Sequence, residues 1–134
     1  MRLYAILTAC VLGLGPLPAL AQDDPVQSTI QSQFDAFLRD DFAGAFAYAS
    51  PTIKGIFGTP ETFGRMVREG YPMVHRPAGI KMLERRYIAG ALWQKVLVTD
   101  MQGQTHVLDY QMIDTPEGWQ INGVQILPNT SVGV

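Results

Sequence analysis

The chain has 134 residues, of which 47% are hydrophobic and 16% charged, with 13 Gly and 9 Pro. That composition suits one globular domain and excludes a disordered tail, a collagen-like rod and a long coiled coil. The formal charge is −2 and there is one cysteine. These exclude a basic nucleic-acid-binding surface, a disulfide framework and a cysteine-rich zinc site.

The first 21 residues read as an export signal. Met1-Arg2 gives a positive start, Leu3 to Gly15 is almost unbroken apolar sequence, and Ala19-Leu20-Ala21 follows Pro16 and Pro18. A short positive region, a short apolar run and an A-x-A site form a secretory signal peptide, here with cleavage between Ala21 and Gln22. The run is too short to span a bilayer. Leu7-Thr8-Ala9-Cys10 has the form of a lipobox, but only a short apolar stretch precedes Cys10 and the run continues past it. The expected mature protein is therefore periplasmic or secreted, with no stable membrane anchor. It keeps nine Lys and Arg against twelve Asp and Glu and has no thiol, which suits an oxidising compartment. Residues 22–128 make a single domain, and 129–134 a loose tail.

The mature chain divides into a helical half and a strand half. Asp24-Pro25 opens a helix, and Val26, Ile30, Phe34, Phe37 and Leu38 follow helical spacing. Asp40-Asp41 ends that helix and caps a second one, with Phe42, Ala45, Phe46 and Ala49 inward, which stops at Ser50-Pro51. Thr59-Pro60-Glu61 starts a third, with Phe63, Met66 and Val67 inward and Gly70 at its end. Tyr71 to Pro77 is read as a rigid crossover loop between helix and sheet. From Ile80 the apolar period becomes two, giving strands at 80–88, 91–99, 104–113 and 119–127. Ala89-Gly90, Asp100 to Gly103 and Thr115 to Gly118 are short turns, so the strands form an antiparallel meander. Helices followed by a meander define an α+β fold, with about three helices on one face of a four-stranded sheet.

The segments Phe34-Asp35-Ala36-Phe37-Leu38-Arg39-Asp40-Asp41 and Gly118-Trp119-Gln120-Ile121-Asn122-Gly123-Val124 resemble the opening helix and last strand of the NTF2-like (cystatin-like) superfamily. More closely, residues 25–128 resemble a family of exported proteobacterial proteins described as a domain of unknown function. That likeness is carried by Ser50 to Pro60, Gly90-Ala91-Leu92-Trp93-Gln94 and Leu108-Asp109-Tyr110-Gln111-Met112. The resemblance implies a cone-shaped fold and an exported protein. It implies no catalytic residue, because the superfamily's catalytic patterns vary among members.

Turn chemistry sets a register. With three-residue loops, Asp100 faces Gln104 and Thr115 faces Trp119, and a tight turn sets Ile88 opposite Ala91. Glu84, Lys95, Asp109 and Gln125 then form one row on the outward face, and Arg86, Trp93, Gln111 and Gly123 the next. Asp109 is expected in an exposed cross-strand pair with Lys95, and Arg86 beside Trp93. Arg86, Trp93 and Trp119 are candidates for a homodimer contact across the outer face, or for simple rim packing. The other face carries Leu83, Tyr87, Leu92, Val96, Val98, Leu108, Tyr110, Met112, Val124 and Ile126 and is expected under the helices.

Chemical motifs are few. There is no phosphate loop, dinucleotide fingerprint or nucleophile elbow. His75 and His106 are isolated, so no metal and no cofactor are expected. Candidate ligand-pocket residues are Tyr87, Gln94, His106, Tyr110 and Asn122 from the inner sheet face, with His75 at the pocket mouth. This set favours a non-catalytic domain that binds a small apolar ligand or a protein partner. The alternative is a cofactor-free isomerase, dehydratase or cyclase, which needs an acid or base facing a dry pocket. The inward polar set has no carboxylate, although His75 and His106 remain candidate bases.

Overall fold

A computed structural model describes residues 24–128. The cleavage site expected between Ala21 and Gln22 and the tail expected over 129–134 lie outside the described residues. The elements are α1 (Pro25–Leu38), α2 (Phe42–Ala47), α3 (Pro51–Phe57), α4 (Pro60–Gly70) and α5 (Pro72–His75), then β1 (Gly79–Ile88), β2 (Ala91–Thr99), β3 (Thr105–Thr115) and β4 (Gly118–Leu127). The strands form one antiparallel sheet in the order β1-β2-β3-β4. The fold is therefore α+β, with helices first and a meander after. No helix of the described residues is long and apolar enough to cross a membrane.

Helices α1, α3 and α4 begin where a small polar residue precedes a proline. Asp24 accepts from the amides of Val26 and Gln27, Ser50 from Ile53, and Thr59 from Thr62, each with Pro next in the chain. The side chain satisfies a free amide of the first turn, and Pro has no amide to leave unpaired. Ser50-Pro51 therefore starts α3 rather than only ending α2, and the helices number five among the described residues instead of about three. The stretch read as a crossover loop contains α5, one turn begun at Pro72. Asp41 caps α2 through the Gly44 amide at 2.9 Å, as expected. Asp40 adopts a positive φ of 56° where α1 ends.

The three turns close differently. Gly103 has φ 88°, and the Asp100 amide donates to Gln104 at 2.8 Å, so this loop has the expected three residues. Ala89 and Gly90 both have positive φ, 52° and 84°, in the pattern of a two-residue turn that favours Asn-Gly. At the last turn Thr115 pairs with Gly118, not Trp119. That loop is one residue shorter than expected, and the ladder shifts by one at Asn122, between Met112↔Ile121 and Gln111↔Gly123. The two departures cancel. Asp109↔Gln125 and Tyr110↔Val124 hold, while Trp119 turns to the helix side and packs against the core.

A second bulge lies in β1. The register shifts between Met82↔Val96 and Arg85↔Gln94, so Leu83 and Glu84 oppose the single residue Lys95. Ile80 and Met82, rather than Leu83, pack against the core. Bulges bend a sheet locally and increase its twist. The edge of β4 is met by the chain entering α3, where Ile121 donates to the Tyr48 carbonyl and accepts from the Ser50 amide, both at 2.8 Å.

The core lies between α1 and the inner sheet face. Ile30, Phe34 and Phe37 of α1 are buried against Val96, Val98, Leu108 and Tyr110. Phe63 of α4 gathers Phe37, Phe46 and Phe57 at ring-centroid distances of 5.8, 5.2 and 5.7 Å.

Candidate functional site

A cavity of about 240 Å³ opens where this aromatic group meets β4. Its walls come from Phe37 on α1, Ile53 and Phe57 on α3, and Phe63, Met66 and Val67 on α4. Tyr71 and Val74 close the side next to α5, and Tyr110, Ile121 and Val124 form the floor. The helical spacing that makes α4 amphipathic directs Phe63, Met66 and Val67 to one side. The chain traces α3 over the opening because Ser50 is anchored twice. Its amide is held by Ile121, and its hydroxyl donates to Asn122 Oδ1 at 2.7 Å. No residue of α3 is fully buried, so its Ile53 and Phe57 form a thin cover.

Three lining residues are polar: Gln33, Tyr71 and Tyr110. Gln33 donates to the Ala45 carbonyl at 3.0 Å, and the Tyr71 hydroxyl donates to the Val124 carbonyl at 3.4 Å. Tyr110 is only 1% exposed and packs on Phe34 at 6.1 Å. Its hydroxyl has no hydrogen-bond partner among the described residues. Burial, with nearby Tyr71 adding a smaller effect, raises the Tyr110 pKa far above the ordinary phenol value, so the group stays protonated. Among the described residues no Lys, Arg, His, Asp or Glu lines the cavity.

Of the residues expected in a pocket, Tyr110 alone lines this one. Gln94 is fully buried but committed: its amide nitrogen donates to Leu83 and Lys95 carbonyls at 2.8 and 3.0 Å, and its oxygen accepts from Arg85 at 3.3 Å. It fastens the β1 bulge. Asn122 joins Ser50 to Gln111, donating to Gln111 Oε1 at 2.9 Å. Tyr87 is 72% exposed, beyond the helical cover; with Asn122 and Trp119 it borders a separate shallow groove. His106 meets Asp100 and His75 meets Asp40, both at 2.8 Å, and His75 stacks on Phe42. The missed cavity residues, Ile53, Phe57, Phe63 and Val67, carried only a core-like signal.

The outer-face candidates are also redistributed. Trp119 packs against the core, and the Arg86 guanidinium forms a two-pronged pair with Asp109, both contacts at 2.8 Å. Asp109 is 5% exposed, not at the surface. Lys95 turns to Glu84 instead, at 3.7 Å. Arg86, Trp93 and Trp119 thus do not share one patch. Among the described residues no three His, Cys, Asp or Glu side chains gather as a metal site would require.

Three aspartates carry pH dependence. Hydrogen bonds from His75 and Arg76 hold the Asp40 carboxyl below the usual range. His106, and then the Gln104 and Gln102 amides, do the same for Asp100. At Asp24 burial pulls upward, but Arg85 and the amides of Gln27 and Val26 outweigh it. A carboxyl whose folded pKa lies below its unfolded value, near 3.9, stabilises the fold above that value. That contribution disappears as pH falls through the folded pKa. Urea midpoints should therefore drop below about pH 4, and drop less in Asp40→Asn/Asp100→Asn. Parallel acid profiles for the two proteins would show that these pairs do not contribute.

The fold and site define an α+β domain with a partly open, mainly apolar cavity between its helices and its sheet. Residues 19–134 match the family described as "Domain of unknown function (DUF4864)", and the chain belongs to that family. Neither a curated protein nor a solved structure matches it.

Proposed function

We propose that the domain binds a small, mainly apolar ligand in the cavity between α1, α3, α4 and the sheet, as an exported protein. The observation that carries this is the cavity itself: about 240 Å³, walled mainly by aromatic and aliphatic side chains, with the Tyr110 hydroxyl unpaired among the described residues. Well-packed domains leave few apolar hollows of this size, and covering one with an apolar guest removes its walls from water. The order of helices then meander accords with an NTF2-like cone, whose concave face encloses such a space. The positive start, apolar run and A-x-A site at the N-terminus support export. Acid–base catalysis needs a group that gains or loses a proton near neutral pH facing the substrate. The lining offers none, which favours binding over turnover.

The test uses protein recovered from a bacterial periplasm. Its intact mass should correspond to a chain beginning at Gln22. Titration with ethylbenzene, followed by amide NMR, should shift signals of α3, α4 and β4. Val67→Phe fills the space and should abolish those shifts while keeping a cooperative thermal transition. Shifts that persist undiminished in a folded Val67→Phe protein would place the guest elsewhere and overturn the reading.

A further inference from the structure

The polar end of the cavity narrows the class of ligand. We infer that the ligand is uncharged and presents one hydrogen-bond acceptor, such as a carbonyl oxygen, to the hydroxyl of Tyr110. This rests on the cavity being the binding site.

The Tyr71 hydroxyl and the Gln33 amide already donate to backbone carbonyls. The Tyr110 hydroxyl borders the cavity with no acceptor among the described residues. The hydroxyl is reached from the cavity, and a guest that covers this donor without supplying an acceptor leaves it unpaired at a cost. A neutral phenol can donate or accept, but here the missing partner is an acceptor. A guest that merely donates to the oxygen leaves the phenolic proton unpaired. The walls disfavour charge, since among the described residues no cationic side chain lines the cavity to meet an anion and no acid to meet a cation. An isolated ion there loses its hydration without compensation. Size follows from volume: an apolar cavity of about 150 Å³ holds benzene, so about 240 Å³ takes one ring with about three further heavy atoms.

The experiment compares acetophenone with α-methylstyrene, which has the same shape with a methylene in place of the carbonyl oxygen. Amide NMR titrations of the wild-type protein, Tyr110→Phe and Tyr71→Phe give the affinity ratio of the pair in each. The wild-type ratio should exceed that of Tyr110→Phe by about three- to tenfold, and Tyr71→Phe should keep the wild-type ratio. Benzoate, tested on wild type and needing no variant, should bind far more weakly than acetophenone. If both probes bind but the ratio is the same in Tyr110→Phe, or if benzoate binds best, the acceptor inference fails and the apolar site stands. If neither probe binds at millimolar concentration, both readings fail.

Discussion

Leu108→Asp is expected to unfold the domain. Leu108 is fully buried, paired across the sheet with Val96 on one side and Ile126 on the other. Val96 is fully buried too, so the introduced carboxylate has neither water nor a cation beside it on that side. An unpaired charge in such a place costs several kcal/mol even after it takes up a proton, which is comparable with the whole stability of a small domain. Leu108→Met keeps volume and polarity and should cost less than about 1.5 kcal/mol. Leu108→Ala should lie between, at about 2–5 kcal/mol. Urea unfolding by circular dichroism ranks the three. A cooperative Leu108→Asp transition within about 1 kcal/mol of wild type would mean that this face does not lie under the helices.

The same face shows what was legible in the sequence. Period-two alternation and the turn glycines place all four strands to within two residues and give their order, because each hairpin is a local decision. The two bulges differ in legibility. Leu83-Glu84 carries no Gly or Pro to mark an extra residue, whereas Gly123 inside β4 marks the one at Asn122; the side chains that secure them are tertiary, the Gln94 amide for the first and Ser50 with Gln111 for the second. The inward position of Val124 holds because two departures cancel, a loop one residue shorter than its turn chemistry suggests and an extra residue at Asn122. Between them lies Trp119, the residue assigned to the wrong face. α3 had a readable signal, since Ser50-Pro51 repeats the pattern of Asp24-Pro25 and Thr59-Pro60 that opens its neighbours. Ser50-Pro51 both stops α2 and starts α3, so one dipeptide carries two signals.

The site was less legible than the fold for a physical reason. Polar residues on an inner face suggest a pocket, but folding satisfies most of them internally. Gln94, Asn122 and His106 each find a partner within the protein, leaving nothing to offer a guest. What remains open is defined by an absence of packing among phenylalanines. Phe57 and Phe63 look the same in sequence whether they fill a core or line a hole in it.

Asp109 gives the second large effect, and it reverses the expectation for an exposed pair. Its carboxylate is nearly inaccessible and holds Arg86 of β1 from β3, so the pair bridges the intervening strand β2. The two hydrogen bonds to Asp109 also outweigh partial burial and raise the Arg86 pKa, so the guanidinium stays charged in every accessible condition. Removing one member of a buried pair strands the other, at about 3–5 kcal/mol. The Arg86 side chain keeps about a quarter of its exposure, so water relieves part of its stranding. Asp109→Ala should therefore cost about 2–3 kcal/mol, less than Arg86→Ala, which leaves the more deeply buried carboxylate alone. Replacing both partners with apolar groups, Arg86→Met/Asp109→Leu, removes the desolvation penalty along with the attraction and should return to within about 1 kcal/mol of wild type. Urea midpoints of wild type, Asp109→Ala, Arg86→Ala and the combined Arg86→Ala/Asp109→Ala close a double-mutant cycle. Additive single effects would mean that the two side chains act independently, and the strap across β2 would not exist in solution. A double variant that loses much less than the two singles combined, with this coupling little altered between low and high salt, is the expected signature of a pair shielded from counterions.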